Sequence, residues 1–504
     1  MCERPNSLDA GHEDSGDGRD ARASADAEPD VADFDGGDHR PDAASTVPDA
    51  GQPTLVEGGL DAAISDAAAS LDADLPPDLV DGSMPRPDGA VSNGLCPDGI
   101  LEGGYTVATF VDEVLLAECT TITGTLAVGA VTSLSLPKLE HLGALEIYVN
   151  RTVTSISLPK LASVAGGIEV NNNTLLTDLD MPVLSTVGGT LLLEQNDALT
   201  SLSLPKLTTL GPEVGVALRV RSNKALEHLE LPMLGALATS EILGNAALTS
   251  LDLQALTTVG MTFQLGGNSA LPALNLPKLE SIGGSLQVSY KASLTTLSLP
   301  LLTSIGGDLI AGNNPKLGTL GLPNLHTVGG SINTANGPGA GQATLPTVDL
   351  PELAQVGGSL IVPLTTSLLL PKLSSVEGNI ELPSSALLPT LDLPMLTTLG
   401  GNLKGLSLAL VTLNLPALST LGGDLDFSIT GLSSLALPEL VSVGKSLKVT
   451  GNQELTSLSM PKLETVGGTD FMIAVNPKLP TVQATGIRSG LVGFSGTSTI
   501  SNNL

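Results

Sequence analysis

Residues 274–288 read LNLPKLESIGGSLQV, residues 297–311 read LSLPLLTSIGGDLIA, and residues 413–427 read LNLPALSTLGGDLDF. Their shared frame is L-x-L-P-x-L, then a β-branched residue or Leu, a Gly pair, and L-x-V or a close relative. The anchor proline recurs at Pro137, Pro159, Pro182, Pro205, Pro232, Pro277, Pro300, Pro323, Pro351, Pro371, Pro394, Pro416, Pro438 and Pro461. Gln254 fills the same column in one further copy, which makes fifteen. The mean spacing is about 23 residues, a period that marks a repeat architecture.

Within a copy, L-x-L and L-x-V alternate with period two, so Leu and Val fall on one face and Ser, Thr or Asp on the other. No helical stripe spans a copy. A proline in nearly every copy would delete an N–H donor at each level of a parallel ladder, so its column belongs at a corner. The Gly pair marks a second bend, where positive φ or close backbone approach is needed. Asn196, Asn245, Asn268, Asn313 and Asn452 follow the last strand and suggest a third corner in the left-handed region. Three bends and short strands close into one coil, and stacked coils form a parallel β-solenoid over residues 131–480. At about 4.8 Å per coil, fifteen coils span on the order of 70 Å. One coil cannot cover its own apolar side, so the ends need caps. Residues 481–504 break the repeat and are expected to supply one of them.

The whole chain has 504 residues, a formal net charge of −30, and 22 basic against 52 acidic residues. No basic cluster is present to neutralise phosphates, which argues against nucleic acid as a partner. No apolar run reaches the ~18 residues of a membrane span. Aromatic residues make up only 2%, so the interior must be filled by aliphatic side chains. Residues 1–95 differ from the rest: they hold 18 Asp, 4 Glu, 5 Arg and no Lys. Such a segment buries too little to offset its chain entropy and is expected to be a disordered tether.

Residues 96–130 lead into the first coil. Val107, Phe110, Val111, Val114 and Leu115 have helical spacing, which predicts a short amphipathic helix. Cys96 and Cys119 then either bridge this cap, which implies an oxidising compartment, or stay as two buried thiols. Cys96, the helix, the run ECTTITGTL (118–126) and the following coils resemble the receptor L domain. That is the right-handed leucine-rich β-helix of receptor ectodomains, fungal wall glycoproteins and bacterial surface lipoproteins. The resemblance covers about residues 96–480, exceeds one receptor L domain in coil number, and implies an exported, non-enzymatic surface. Cys2, ahead of a long acidic linker, is similar to the acylated first residue of a mature bacterial lipoprotein. No basic and apolar leader stands before it here, so Cys2 is a candidate lipidation site if the start lies upstream, and incidental otherwise. Any membrane contact is expected only through that anchor.

Little else carries chemistry. Glu230 and Asp252 are neighbours in an outward column and could pair as acid and base, but exposed acids on a solvated strand explain them better. The histidines fall at unrelated repeat positions, which argues against a metal cluster. No cofactor is implied. Rare side chains gather near the Asn corner, namely Tyr148, Arg151, Arg219, Arg221, Tyr290 and Lys291, and Tyr and Arg are favoured binding anchors. These six form a candidate contact patch for an unknown protein or glycan at the cell surface. The function expected is a tethered, non-enzymatic binding or adhesion module. The alternatives are a passive envelope spacer or a carbohydrate-active β-helix enzyme.

Overall fold

The computed structural model describes residues 94–211, 215–335, 345–382, 387–405, 407 and 409–504. Cys2 with residues 1–93, and the inserted segments 212–214 and 336–344, lie outside the described residues. The described residues form an all-β parallel solenoid of leucine-rich coils, about seventeen turns set about 23 residues apart. A single coil shows the logic. Ser201–Ser203 is a three-residue strand, Thr209–Leu210 a two-residue strand, and Val216–Arg221 a longer third strand. Each pairs in parallel with its counterparts, for example Leu202 with Leu229, Leu210 with Val187, and Val220 with Leu193. The third strands belong to a long sheet of 22 strands, which also takes in the cap strands and the two-residue strands as far as Thr209–Leu210. The two-residue strands from Ala236–Leu237 onward form a sheet of 11, and the three-residue strands form runs of two or three.

Leu202, Leu204, Leu207, Leu210, Leu218 and Val220 of this coil are all buried, and the same columns are buried in the other described coils apart from the half-buried Leu251 and Leu413. Each such leucine contributes about 1.5–3 kcal/mol by leaving water. Pro205 opens a tight turn in which the Leu207 amide donates to the Leu204 carbonyl at 3.1 Å. Its missing N–H therefore falls where no ladder needs a donor.

The Gly pair works by close approach, not by positive φ. Neither Gly283 nor Gly306 has a left-handed backbone. A Cβ on Gly283 would stand 2.1 Å from the Gly260 carbonyl oxygen, and one on Gly306 2.0 Å from that of Gly283. Each glycine thus lets its coil settle onto the carbonyl of the coil before it.

The third corner corrects the sequence reading. The left-handed residue is the one before the asparagine: Gln195, Gly244, Gly267 and Gly451 take positive φ, while Asn196, Asn245, Asn268 and Asn452 do not. Only Asn313 has the conformation expected of it, with φ 58°. The others are buried and form a ladder. The amide N–H of Asn196 donates to Asn223 Oδ1 at 2.9 Å, and its Nδ2 donates to the Val170 carbonyl at 2.8 Å. Asn150, Asn173, Asn223, Asn314, Asn476 and Asn503 belong to the same column.

A second ladder runs along the bend that follows the Gly pair, with the opposite polarity. Here the amide of the later coil donates to the side chain of the earlier one: Asp308 to Ser285 Oγ at 2.9 Å, Ser331 to Asp308 Oδ1 at 2.7 Å, and Ser359 to Ser331 Oγ at 3.0 Å. Asn379, Asn402, Asp424 and Ser446 extend it.

At the amino-terminal end, Cys96 and Cys119 are joined by a disulfide with Cα atoms 5.2 Å apart. Helix α1 spans Phe110–Leu116. The Asp112 carboxylate accepts from the amides of Ala108 and Thr109 and from the Tyr105 hydroxyl at 2.7–2.9 Å. Burial first, then this bond and the Asp112 charge, push the Tyr105 hydroxyl up to about 12. This fastening fixes the rotation of α1 so that Leu116 faces the core, and leaves Phe110, Val111 and Val114 exposed. The helix exists as expected, but most of its apolar residues point outward. At the other end, α2 (Thr481–Gly490) is followed by Thr497–Ser501, which adds a parallel strand beside Asp470–Ala474.

Candidate binding surface

In the third strand of each coil alternate residues face outward, so two columns of side chains run along the long sheet. Register places Glu146, Glu169, Leu192, Arg219, Glu241, Gln264 and Gln287 in one column. Tyr148, Asn171, Glu194, Arg221 and Leu243 form the other. Further along, Glu381, Lys404, Asp426 and Lys448 alternate in sign.

The first five coils of this face break that alternation. Arg219 Nε and Arg221 Nη2 converge on one oxygen, Glu241 Oε2, at 2.8 and 2.9 Å. Arg221 Nε is buried without a hydrogen-bond partner. The Tyr148 hydroxyl donates to Glu169. Burial foremost, then that hydrogen bond and the charges of Glu169 and Glu146, hold the Tyr148 phenol well above its ordinary value. Among the described residues, Glu146, Glu169 and Glu194 form no ion pair with a basic side chain. Two stacked carboxylates and a shared-carboxylate arginine pair give this face a charge that the next coils lack, where the column holds Gln264, Gln287, Ile310, Asn333 and Ile361.

The six residues expected to form a patch divide three ways. Tyr148, Arg219 and Arg221 share the outward face of the long sheet. Arg151 and Tyr290 lie on the adjoining corner, both exposed, and Tyr290 occupies the left-handed position with φ 57°. Lys291 does not belong to any surface: it is buried in the asparagine column. Sequence reasoning missed Glu146, Glu169, Glu194 and Glu241. For Glu146, Glu169 and Glu241 the signal was the central position of L-x-V, which is neutral in the next coils; Glu194 follows its motif, whose centre is Leu192.

Elsewhere the outer surface is locally satisfied. Glu230 and Asp252 are in register, but Ser203 Oγ donates to Glu230 and the Gln254 amide to Asp252. Three of the six lysines after the anchor proline pair with a carboxylate of the preceding coil: Lys138 with Glu118 at 2.5 Å, Lys372 with Glu352 at 2.6 Å and Lys462 with Glu439 at 2.6 Å. Such exposed pairs are worth ~0–1 kcal/mol. Among the described residues no group of three or more His, Cys, Asp and Glu is placed to hold a metal ion, and no helix is long and apolar enough to cross a membrane.

No family model matches the chain, and no curated protein matches it. Among solved structures it is similar to a leucine-rich repeat protein from Bacteroides ovatus, at 14% identity over 77% of this chain and 84% of that one, with a TM-score of 0.26. YopM from Yersinia enterocolitica matches at 16% identity over 71% and 85%, with a TM-score of 0.16. The functional domain of InlJ from Listeria monocytogenes, described as including a cysteine ladder, matches at 15% identity over 73% and 64%, with a TM-score of 0.13. The repeat assignment itself rests on the coils described above.

Proposed function

We propose that this chain is a non-enzymatic binding module that engages a protein or glycan partner through the outward face of the long sheet between Glu146 and Leu243. The observation that carries this reading is the break in charge alternation there, with Arg219 and Arg221 sharing Glu241 beside the stacked Glu146 and Glu169. Arginine and tyrosine held by neighbours are poised for contact at low entropic cost. The disulfide of the cap supports an oxidising, exported setting, since such bonds persist outside the reducing cytosol. Acylation at Cys2 is part of the same reading: residues 3–93 would then hold the solenoid away from a membrane.

The test uses the full chain on glycan arrays and on intact cells bearing surface proteins. A double reversal, Arg219→Glu with Arg221→Glu, is expected to cut retained binding at least tenfold. Lys206→Glu, on the proline-turn side, is expected to leave it unchanged. Equal loss in both variants would move the contact elsewhere. A chain that binds nothing saturably in either format is a spacer, and the proposal fails. Labelling with a radioactive fatty acid, lost in Cys2→Ser, checks the anchor separately.

A further inference from the structure

The buried asparagine column contains one lysine. Lys291 stands 23 residues after Asn268 and 23 before Asn314, and is 0% exposed. Its neighbours show what the position asks for. Asn268 accepts the Asn245 amide N–H through Oδ1 at 2.9 Å and donates through Nδ2 to the Ile242 carbonyl at 2.8 Å. A lysine side chain has no acceptor to offer. The Lys291 amide keeps its place by donating to Asn314 Oδ1 at 3.2 Å, but Nζ has no hydrogen-bond partner.

No ionisable side chain faces this amine from the elements around it. The neighbouring strands of the long sheet are Phe263–Gly266, Leu286–Ser289 and Leu309–Ile310. Those on the proline side are Ala273–Asn275, Thr296–Ser298 and Thr319–Gly321, and those of the remaining sheet Ser281–Ile282 and Ser304–Ile305. None contains Asp, Glu, His, Lys, Arg, Cys or Tyr. Tyr290 and Lys316 are exposed on corners, and Asp308 is engaged by the Ser331 amide in the bend ladder. Burial alone sets the state of the amine and brings it down to about 7.

We propose that the Lys291 coil is a pH-gated joint, because an unpartnered amine sealed in the ladder corner gains its proton and its hydration together when that corner opens. Acidification then loosens the stack between Asn268 and Asn314. In an open corner the lysine binds a proton below its ordinary value of 10.5, and in the closed one only below about 7. Between these values the open form holds more protons. Opening is therefore favoured about tenfold for each pH unit lost, and the dependence flattens below about 7.

Millisecond-quench hydrogen–deuterium exchange on the whole chain tests this, with rates corrected for intrinsic exchange. From pH 9 to pH 7 the opening constant of the 263–314 coils is expected to rise about 100-fold, while the coils of Asn173 and Asn196 stay level. Lys291→Asn repairs the ladder and is expected to abolish the slope. Lys291→Met removes the charge without supplying an acceptor and is expected to abolish it too, which separates titration from ladder repair. A slope that survives in either variant, or a flat profile in the native chain, overturns the proposal.

Discussion

Asn196 shows what a single side chain contributes to this stack. Its Oδ1 accepts both the backbone N–H and the Nδ2 of Asn173, at 3.1 and 3.0 Å, and its own Nδ2 reaches the Val170 carbonyl. One amide therefore satisfies groups in the coil before it and binds to Asn223 in the coil after it. Asn196→Leu keeps the volume but strands a buried N–H and a buried carbonyl, at a cost of about 2–4 kcal/mol. Asn196→Gly is expected to be at least as harmful, because the position is not left-handed. Gln195→Gly is expected to be neutral or stabilising by up to about 1 kcal/mol, since Gln195 carries the positive φ. Urea midpoints at constant slope measure all three. Tolerance of Asn196→Gly would return the asparagine to the left-handed role that the sequence suggested. That role was misread because asparagine suits both a left-handed turn and a buried amide ladder. The separating signal was present in Gly244-Asn245, Gly267-Asn268 and Gly451-Asn452, where glycine already takes the strained place. Lys291 was misread for a related reason: lysine is almost never fully buried. Only its alignment with Asn268 and Asn314 exposes it.

At the scale of the strand, volume is balanced between coils. Gly405 is in register with Phe427, and a Cβ on Gly405 would stand 2.8 Å from the Phe427 ring. Most other coils carry Val, Leu or Ile at this inward position, so a void in one coil is filled by the large residue of the next. Gly405→Val is expected to overpack the column and cost about 1–3 kcal/mol. Adding Phe427→Val is expected to recover most of that loss, a coupling that thermal melts of the double-mutant cycle detect. Additive losses would mean that the two coils relax independently. This pairing could not be read from one copy, because it depends on which residue lands opposite in the next. The strands themselves were legible, since strict alternation of Leu with Ser or Thr leaves only one face to bury. The proline corner was legible for the same steric reason. The outward face was half legible: Tyr148, Arg219 and Arg221 stood out as rare residues, whereas glutamates in an acidic chain did not.

Across the whole solenoid the two polar ladders share the load unevenly. Asparagine occupies the third corner from Asn150 to Asn268 and again from Asn452 to Asn503, while the bend ladder runs from Ser285 to Ser446. In the middle coils the asparagine column holds Thr365, buried, with a hydroxyl that finds no partner, while Thr334, also buried and unpartnered, lies in the inward third-strand column between Ala311 and Val362. A hydroxyl is too short to span the corner as the amide does, so these coils rely on the bend ladder and on leucine packing. Because each coil touches chiefly its neighbours, stability is close to a sum of local terms, and a run of weak interfaces sets where the stack parts. The ends are better fastened, by the disulfide and α1 on one side and by α2 with Thr497–Ser501 on the other. Limited proteolysis in sub-denaturing urea is therefore expected to cut the coil of Thr365 before either end. Thr365→Asn, which puts an amide back into that column, is expected to slow that cut several-fold. First cleavage in the capped ends, or no slowing in the Thr365→Asn variant, would show that packing of the leucine columns governs the weak point instead of the corner amides.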